Sequence, residues 1–250
     1  MKVWAKINFH GDYHSHNIAQ AVYGFRELGA EIIKYKKIDE IYDLVSREDI
    51  VLDYIDQIKT IFNKFNVEIP NLDYPGALSN YYGRTIWRDT INSINSNPEK
   101  WGIFVKPIRE KVFTGKIIKD TSDLVGCGSC YENYEVYCSE ILNIKREWRA
   151  FILYDELIDI RPYNGDYHYQ YNTNVLDSVI KAFCRWEERP MACSIDFAVI
   201  EDGFGNKKTI VVEVNDAYAL GCYGLNHIDY AKLISARWAQ LLNRKDEYKF

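Results

Sequence analysis

The chain has 250 residues, 47% hydrophobic and 27% charged, which is enough for one large core or two to three smaller lobes. Its net charge of −5 argues against broad nucleic-acid binding through a basic face. No apolar run approaches the roughly 20 residues of a membrane span, and MKVWAKINFHGD lacks the features of a secretory signal, so a cytoplasmic protein is the expectation.

VWAKINF (3–9) reads as a strand. HNIAQAVYGFRELG (16–29) carries Ile18, Ala21, Val22, Phe25 and Leu28 at helical spacing and stops at Gly29. AEIIKYK (30–36) and DIVLDY (49–54) are two further strands, and IDQIKTIFNKF (55–65) is a helix before VEIPNLDYP. Strands alternating with helices predict a small parallel α/β lobe over residues 1–79. A second part, 80–250, opens with a predicted helix over 80–94 and a strand, WGIFVKPI (101–108). VFTGKIIKD (112–120) returns as a strand, and EVYCSEIL (135–142) follows. REWRAFILYDELIDIRPYN (146–164) reads as two strands turning near Asp155 and Glu156, and VLDSVIKAFCRWEE (175–188) as a helix. CSIDFAVI (193–200) and TIVVEV (209–214) form a hairpin across the turn residues of EDGFGNKK, and YAKLISARWAQLL (230–242) is the last helix. The second part divides into lobes 80–136 and 137–250.

Cys127 and Cys130 are spaced like a metal or redox pair, but no second pair completes a zinc site, and a structural role is the simpler reading. Scattered cysteines suit a reduced protein. His10, His14 and His16 occupy a polar loop after the first strand, where a substrate-facing role is more plausible than a metal.

The chemistry concentrates on the hairpin. Glu213 and Asn215, two apart on one strand, share a face, and Asp196 is the sole charged residue of CSIDFAVI. The hairpin brings the two carboxylates together, where burial and mutual repulsion are both costly. A cation would relieve both, and two carboxylates with an amide oxygen suit Mg²⁺. The alternative, strand-end residues capping nearby backbone, stays open on this pattern alone. Lys106 ends an apolar strand, and Arg109, Lys111 and Gly115 lie in a loop suited to covering phosphates, although no Walker motif is present. Glu147 and Arg149 add a carboxylate and a cation on one strand face.

In order, FVKP…G, SEIL followed by EWR, SIDF, and EVNDAYALGCYG (213–224) resemble the ATP-grasp superfamily, especially small standalone members from bacteria and phages. The likeness runs from about Arg84 to Leu242 and implies an α/β fold of α+β lobes with an N-terminal parallel α/β domain ahead of the ATP-grasp fold. It implies that Lys106 meets the phosphates of ATP, that the loop 108–115 closes over them, and that Arg84 takes the place of a phosphate-directed lysine. It implies adenine at the backbone of Glu140, Ile141 and Leu142, ribose at Glu147, and Mg²⁺ at Asp196, Glu213 and Asn215. Related ligases often carry an arginine where this chain has Ser194, so Arg149 or Arg161 is expected to supply charge for the transferred phosphoryl group. The implied reaction joins a carboxylate and an amine, from small molecules or peptides, through an acylphosphate. A phosphotransferase with the same ATP site and a non-catalytic nucleotide-binding module are the alternatives. RPYNGDYHYQYN (161–172) is a candidate substrate-facing loop.

Overall fold

A computed structural model of the chain describes residues 1–109, 112–128 and 132–249. Lys111 and Cys130, singled out above, lie outside the described residues.

Among the described residues the strands form three sheets. β1 (Lys2–Lys6), β2 (Glu31–Tyr35) and β3 (Ile50–Leu52) form a parallel sheet in the order β2-β1-β3. It is served by α1 (His16–Glu27), N-capped by Ser15, and α2 (Ile55–Lys64). The parallel first lobe thus follows the alternating pattern predicted for it.

The second sheet, in the order β4-β7-β5-β6, is antiparallel throughout and comprises β4 (Ile86–Thr90), β5 (Ile103–Pro107), β6 (Lys116–Ile118) and β7 (Glu135–Ser139). α3 (Ile91–Ser96) buries Ile91 and Ile94 against its Val105, Ile118, Val136 and Cys138. One expectation fails here. The helix predicted over 80–94 is instead the end of a 3₁₀ turn (Gly76–Tyr81), β4 and the short α3. Gly83 takes φ +63 and breaks any helix, Ile86 to Thr90 pair with Ser139 to Glu135, and the Thr90 side chain then caps α3 by accepting from Ser93 N.

The third sheet, β11-β10-β8-β9, is antiparallel and built from β8 (Ile144–Leu153), β9 (Glu156–Gly165), β10 (Ala192–Glu201) and β11 (Lys207–Asp216). Its apolar face, with Ala150, Ile152, Ile195, Phe197 and Val211, packs on α4 (Thr173–Cys184) through Leu176, Val179 and Phe183. α5 (His227–Leu241) returns to the first lobe, where Trp238 meets the ring of Phe62 at 4.5 Å between centroids. Gly24 of α1 makes that return close, because a Cβ there would overlap the His227 carbonyl. First lobe, α5 and the 217–225 loop therefore share one core. Among the described residues no helix is long and apolar enough to cross a membrane.

Candidate active site

The face of the third sheet opposite α4 is polar, and strand register explains how. Arg161, Arg149, Asp196 and Glu213 are successive cross-strand partners from β9 to β11, so their side chains leave the sheet on one side in a single row. A register shift after Asp196 leaves Val212 without a partner on β10, a bulge that keeps Glu213 and Asn215 on this face while Val211 and Val214 remain in the core.

Each carboxylate in the row has its own cation. Arg149 Nε and Nη2 donate to Asp196 Oδ1 and Oδ2 at 2.8 and 2.7 Å, a bidentate pair, with Asp196 2% and Arg149 7% exposed. Asn215 Nδ2 and Tyr163 OH add donors to Asp196 Oδ2 at 3.2 and 3.4 Å. Burial pushes the Asp196 carboxyl up, and Arg149 opposes it without cancelling it. The Arg149 guanidinium also stacks on Tyr223 at 4.5 Å. Glu213 takes Lys106 Nζ from β5 at 2.8 Å. Burial acts against its charge, but Lys106, with Arg149 and Asn215 adding to it, holds Glu213 below the ordinary glutamate value. Lys106 Nζ also meets Asp73 Oδ1 at 2.8 Å. The Asp73 carboxyl is raised, by burial first and by Glu213 as well, with Lys106 offsetting part of the rise.

Between the second and third sheets lies a cleft of ≈ 520 Å³. Arg84, Glu140, Ile141, Leu142, Glu147 and Glu213 all line it, together with apolar walls from Phe104, Ile117 and Ile144. Among the described residues the segment after β7 has no strand pairing at 140–143; its Glu140 carbonyl accepts Ser139 Oγ and its Asn143 carbonyl the Glu201 N–H, while Ile141 and Leu142 lie between them on the cleft wall. Glu147 accepts Tyr163 OH at 3.2 Å and Asn164 Nδ2 at 2.7 Å, and a carboxylate retains further acceptor capacity. Glu140 Oε2 accepts the Thr85 N–H at 2.8 Å, fixing the turn before β4. Arg84 stands in that turn; its guanidinium donates to the carbonyls of Tyr82, Val211 and Val212 and lies 5.6 Å from the Tyr74 ring. Arg161 lines neither this cleft nor the cavity beside it, and pairs with Asp159.

The adjoining cavity, ≈ 210 Å³, is bordered by Asn71, Asp73, Arg149, Asn215 and the loop 218–221. Asp196 lies beneath both spaces rather than on a wall. Of the donors of a type that suits a hard ion, Glu213 borders the cleft and Asn215 the cavity, while Asp196 Oδ2 already faces Arg149, Asn215 and Tyr163, so that Oδ1 keeps its remaining acceptor capacity. His14 Nδ1 pairs with Tyr54 OH at 2.9 Å, and among the described residues, those of the polar row included, no group of three or more His, Cys, Asp or Glu is arranged to hold a metal. Of the segment 161–172, Tyr163 reaches the cleft, whereas Tyr169 bonds Glu201 and Tyr171 packs on Trp148.

Asp73, Tyr74 and Tyr163 are site residues that sequence reasoning gave no individual role. Tyr74 stands edge-on to Tyr82 and Tyr137 and lies 5.8 Å from Lys106 Nζ. For Asp73 and Tyr74 the available signal was NLDY itself, an acidic and aromatic step in a connection without periodicity, and Tyr163 lies in the polar, aromatic segment 161–172.

Solved structures with the same fold include D-alanine–D-alanine ligase from Bacillus anthracis, 13% identical with a TM-score of 0.55, over 97% of this chain and 98% of that one. N5-carboxyaminoimidazole ribonucleotide synthetase from Thermotoga maritima is 15% identical with a TM-score of 0.54, over 98% of this chain and 77% of that one. A RimK-domain ATP-grasp protein from Sphaerobacter thermophilus is 10% identical with a TM-score of 0.51, over 97% and 98%. No curated protein matches the sequence. A family model described as ATP-grasp domain, R2K clade family 2, matches residues 81–233, more than half of the chain and the whole span from the turn before β4 into α5. The polar row and every residue lining the cleft except Tyr74 fall within that match, and the chain belongs to the ATP-grasp family, R2K clade family 2.

Proposed function

We propose that the chain is an ATP- and magnesium-dependent ligase that joins a carboxylate to an amine and releases ADP and phosphate. The observation that carries this reading is the convergence of Arg84, Glu140, Ile141, Leu142, Glu147 and Glu213 on one cleft, from segments far apart in sequence. Adenine would lie against the backbone of Glu140–Leu142 between the apolar walls, with the ribose hydroxyls at Glu147. Lys106 would meet the phosphates. Arg84 serves by orienting the β11 backbone beside them, since its donors go to carbonyls.

Glu213 and Asn215, with Asp196 behind them, would hold Mg²⁺, which when bound supplies charge neutralisation to the phosphates. Arg149, fixed by Asp196, stays charged beside the ≈ 210 Å³ cavity and offers a cation to an acid bound there. A carboxylate oxygen of that acid attacks the γ-phosphorus and ADP leaves. The amine nitrogen then attacks the acyl carbon, phosphate departs, and the nitrogen gives up a proton. No nucleophilic side chain is needed. The substrates would be small molecules or peptides.

The test is release of ADP and phosphate from Mg·ATP with pooled carboxylic acids, amino acids and peptides, alongside Glu213→Ala. Equal ADP and phosphate, dependent on acid and amine together, is the expected result, and Glu213→Ala should lower turnover by about 10²–10³-fold or more. ADP without phosphate would replace the ligase by a phosphotransferase. A Glu213→Ala protein with normal turnover would refute the metal assignment.

A further inference from the structure

Lys106 ties three separate segments together at one point. Its Nζ stands 2.8 Å from Asp73 Oδ1 and 2.8 Å from Glu213 Oε2, and the Tyr74 ring lies alongside. Lys106 comes from the second sheet, Glu213 from the third, and Asp73 from the connection between α2 and the 3₁₀ turn. The Asp73 side chain is 15% exposed and that of Lys106 22%, so the pair is shielded from solvent and stronger than a surface pair.

That connection is itself fastened. Leu72 is buried in the core of the third sheet, the Asp73 carbonyl accepts the Val214 N–H at 3.0 Å on the free edge of β11, and Asn71 Nδ2 donates to the Ile108 carbonyl at 3.2 Å. The backbone thus delivers the Asp73 carboxylate to the lysine. An ammonium has three donors and here faces two carboxylates. A polyphosphate arriving at the same lysine must share it with both, at a separation where like charges repel strongly. Glu213 borders the cleft, whereas Asp73 borders the adjoining cavity and has space there to turn.

Resting on the reading of Lys106 as the phosphate-binding lysine, we infer that Asp73 is an internal anion that occupies this lysine and is displaced when nucleotide phosphates bind. Its carboxylate therefore lowers nucleotide affinity. Once released from Lys106, its carboxylate would face the ≈ 210 Å³ cavity that it already borders with Arg149 and Asn215, where it would receive a cationic group such as the ammonium form of an acceptor amine. Nucleotide binding then prepares the cavity for its second ligand.

Calorimetric titration of the full chain with ADP, with and without Mg²⁺, and with adenosine tests this in wild type and Asp73→Asn. Asp73→Ser serves as a second variant, and circular dichroism melts confirm that each is folded. Asp73→Asn should bind ADP about tenfold more tightly under both metal conditions and adenosine within about twofold of wild type, because the competition concerns phosphates alone. Unchanged or weaker ADP binding overturns the inference. Weakening confined to Mg²⁺ makes Asp73 a metal ligand instead, and an equal gain for adenosine reduces the effect to general opening of the cleft; either result also overturns it. A wild-type chain that binds no ADP refutes the nucleotide-site reading itself, an outcome distinct from these.

Discussion

Replacing Arg149 by methionine keeps much of the side chain's apolar length and removes the partner of a carboxylate that is 2% exposed. Two charge-assisted bonds, at 2.8 and 2.7 Å, are lost together. Breaking a buried pair from one side costs about 3–5 kcal/mol, because the remaining charge is left uncompensated. Asn215 Nδ2 and Tyr163 OH stay within reach of Asp196 and soften that loss, which puts the expectation near the lower end, about 3 kcal/mol. For a chain of this size such a loss lowers the melting temperature by roughly 6–12 °C.

The variant has a second escape, which is to protonate Asp196. With Arg149 gone, burial holds the folded-state pKa above the unfolded value of about 3.9. Between those two values the folded state binds more protons than the unfolded state, so stability falls as pH rises through the folded pKa. The deficit relative to wild type should therefore shrink as pH is lowered from about 8 to about 5. The double variant Arg149→Met/Asp196→Leu should recover more than half of the loss, since an apolar pair of similar volume leaves no buried charge. Denaturant unfolding of the three proteins at both pH values is the assay. A deficit under about 1 kcal/mol at both pH values, or a double variant less stable than the single one, would refute the reasoning.

Two further substitutions probe what positions the site. Arg237→Met breaks the bidentate clasp to Asp216, at 2.7 and 2.6 Å, which anchors the end of β11 on α5; a loss of about 3–5 kcal/mol in denaturant unfolding is expected. Gly24→Ala sets a Cβ against the His227 carbonyl where α1 meets α5, so about 1–3 kcal/mol or more of destabilisation should appear in thermal melts.

The hairpin was legible because its signals are local. SIDF and VVEVN alternate with period 2, turn residues join them, and Asp196 does lie opposite Glu213. Lys106 was legible as a cation closing an apolar strand, and it does meet carboxylates. What surrounds these residues was not. The Arg149–Asp196 pair exists because β8 lies next to β10 in the strand order, and nothing within either strand announces its neighbour. Arg149 and Arg161 look equivalent as sequence, yet Arg161 turns to Asp159 on its own strand while Arg149 finds Asp196. Asp73 belongs to a connection with no period, and its place is set by the edge of β11, 141 residues later at Val214.

The sequence offered one resolution for two neighbouring buried carboxylates, a bound cation, and the structure supplies another. Asp196 has Arg149, Glu213 has Lys106, and the cross-strand repulsion between the two carboxylates is offset by cations from β8 and β5. The two resolutions are compatible because Asp73 adds a third carboxylate to the same group. Three carboxylates around two fixed cations leave the site with one negative charge in excess, and counting Glu147 with Arg84 leaves that excess unchanged. Such a site repels a bare polyphosphate and attracts a divalent ion. On the proposed reading, the arrangement therefore favours nucleotide that arrives already complexed with metal: the ion would meet Glu213 and Asp196 while the phosphates displace Asp73 from Lys106.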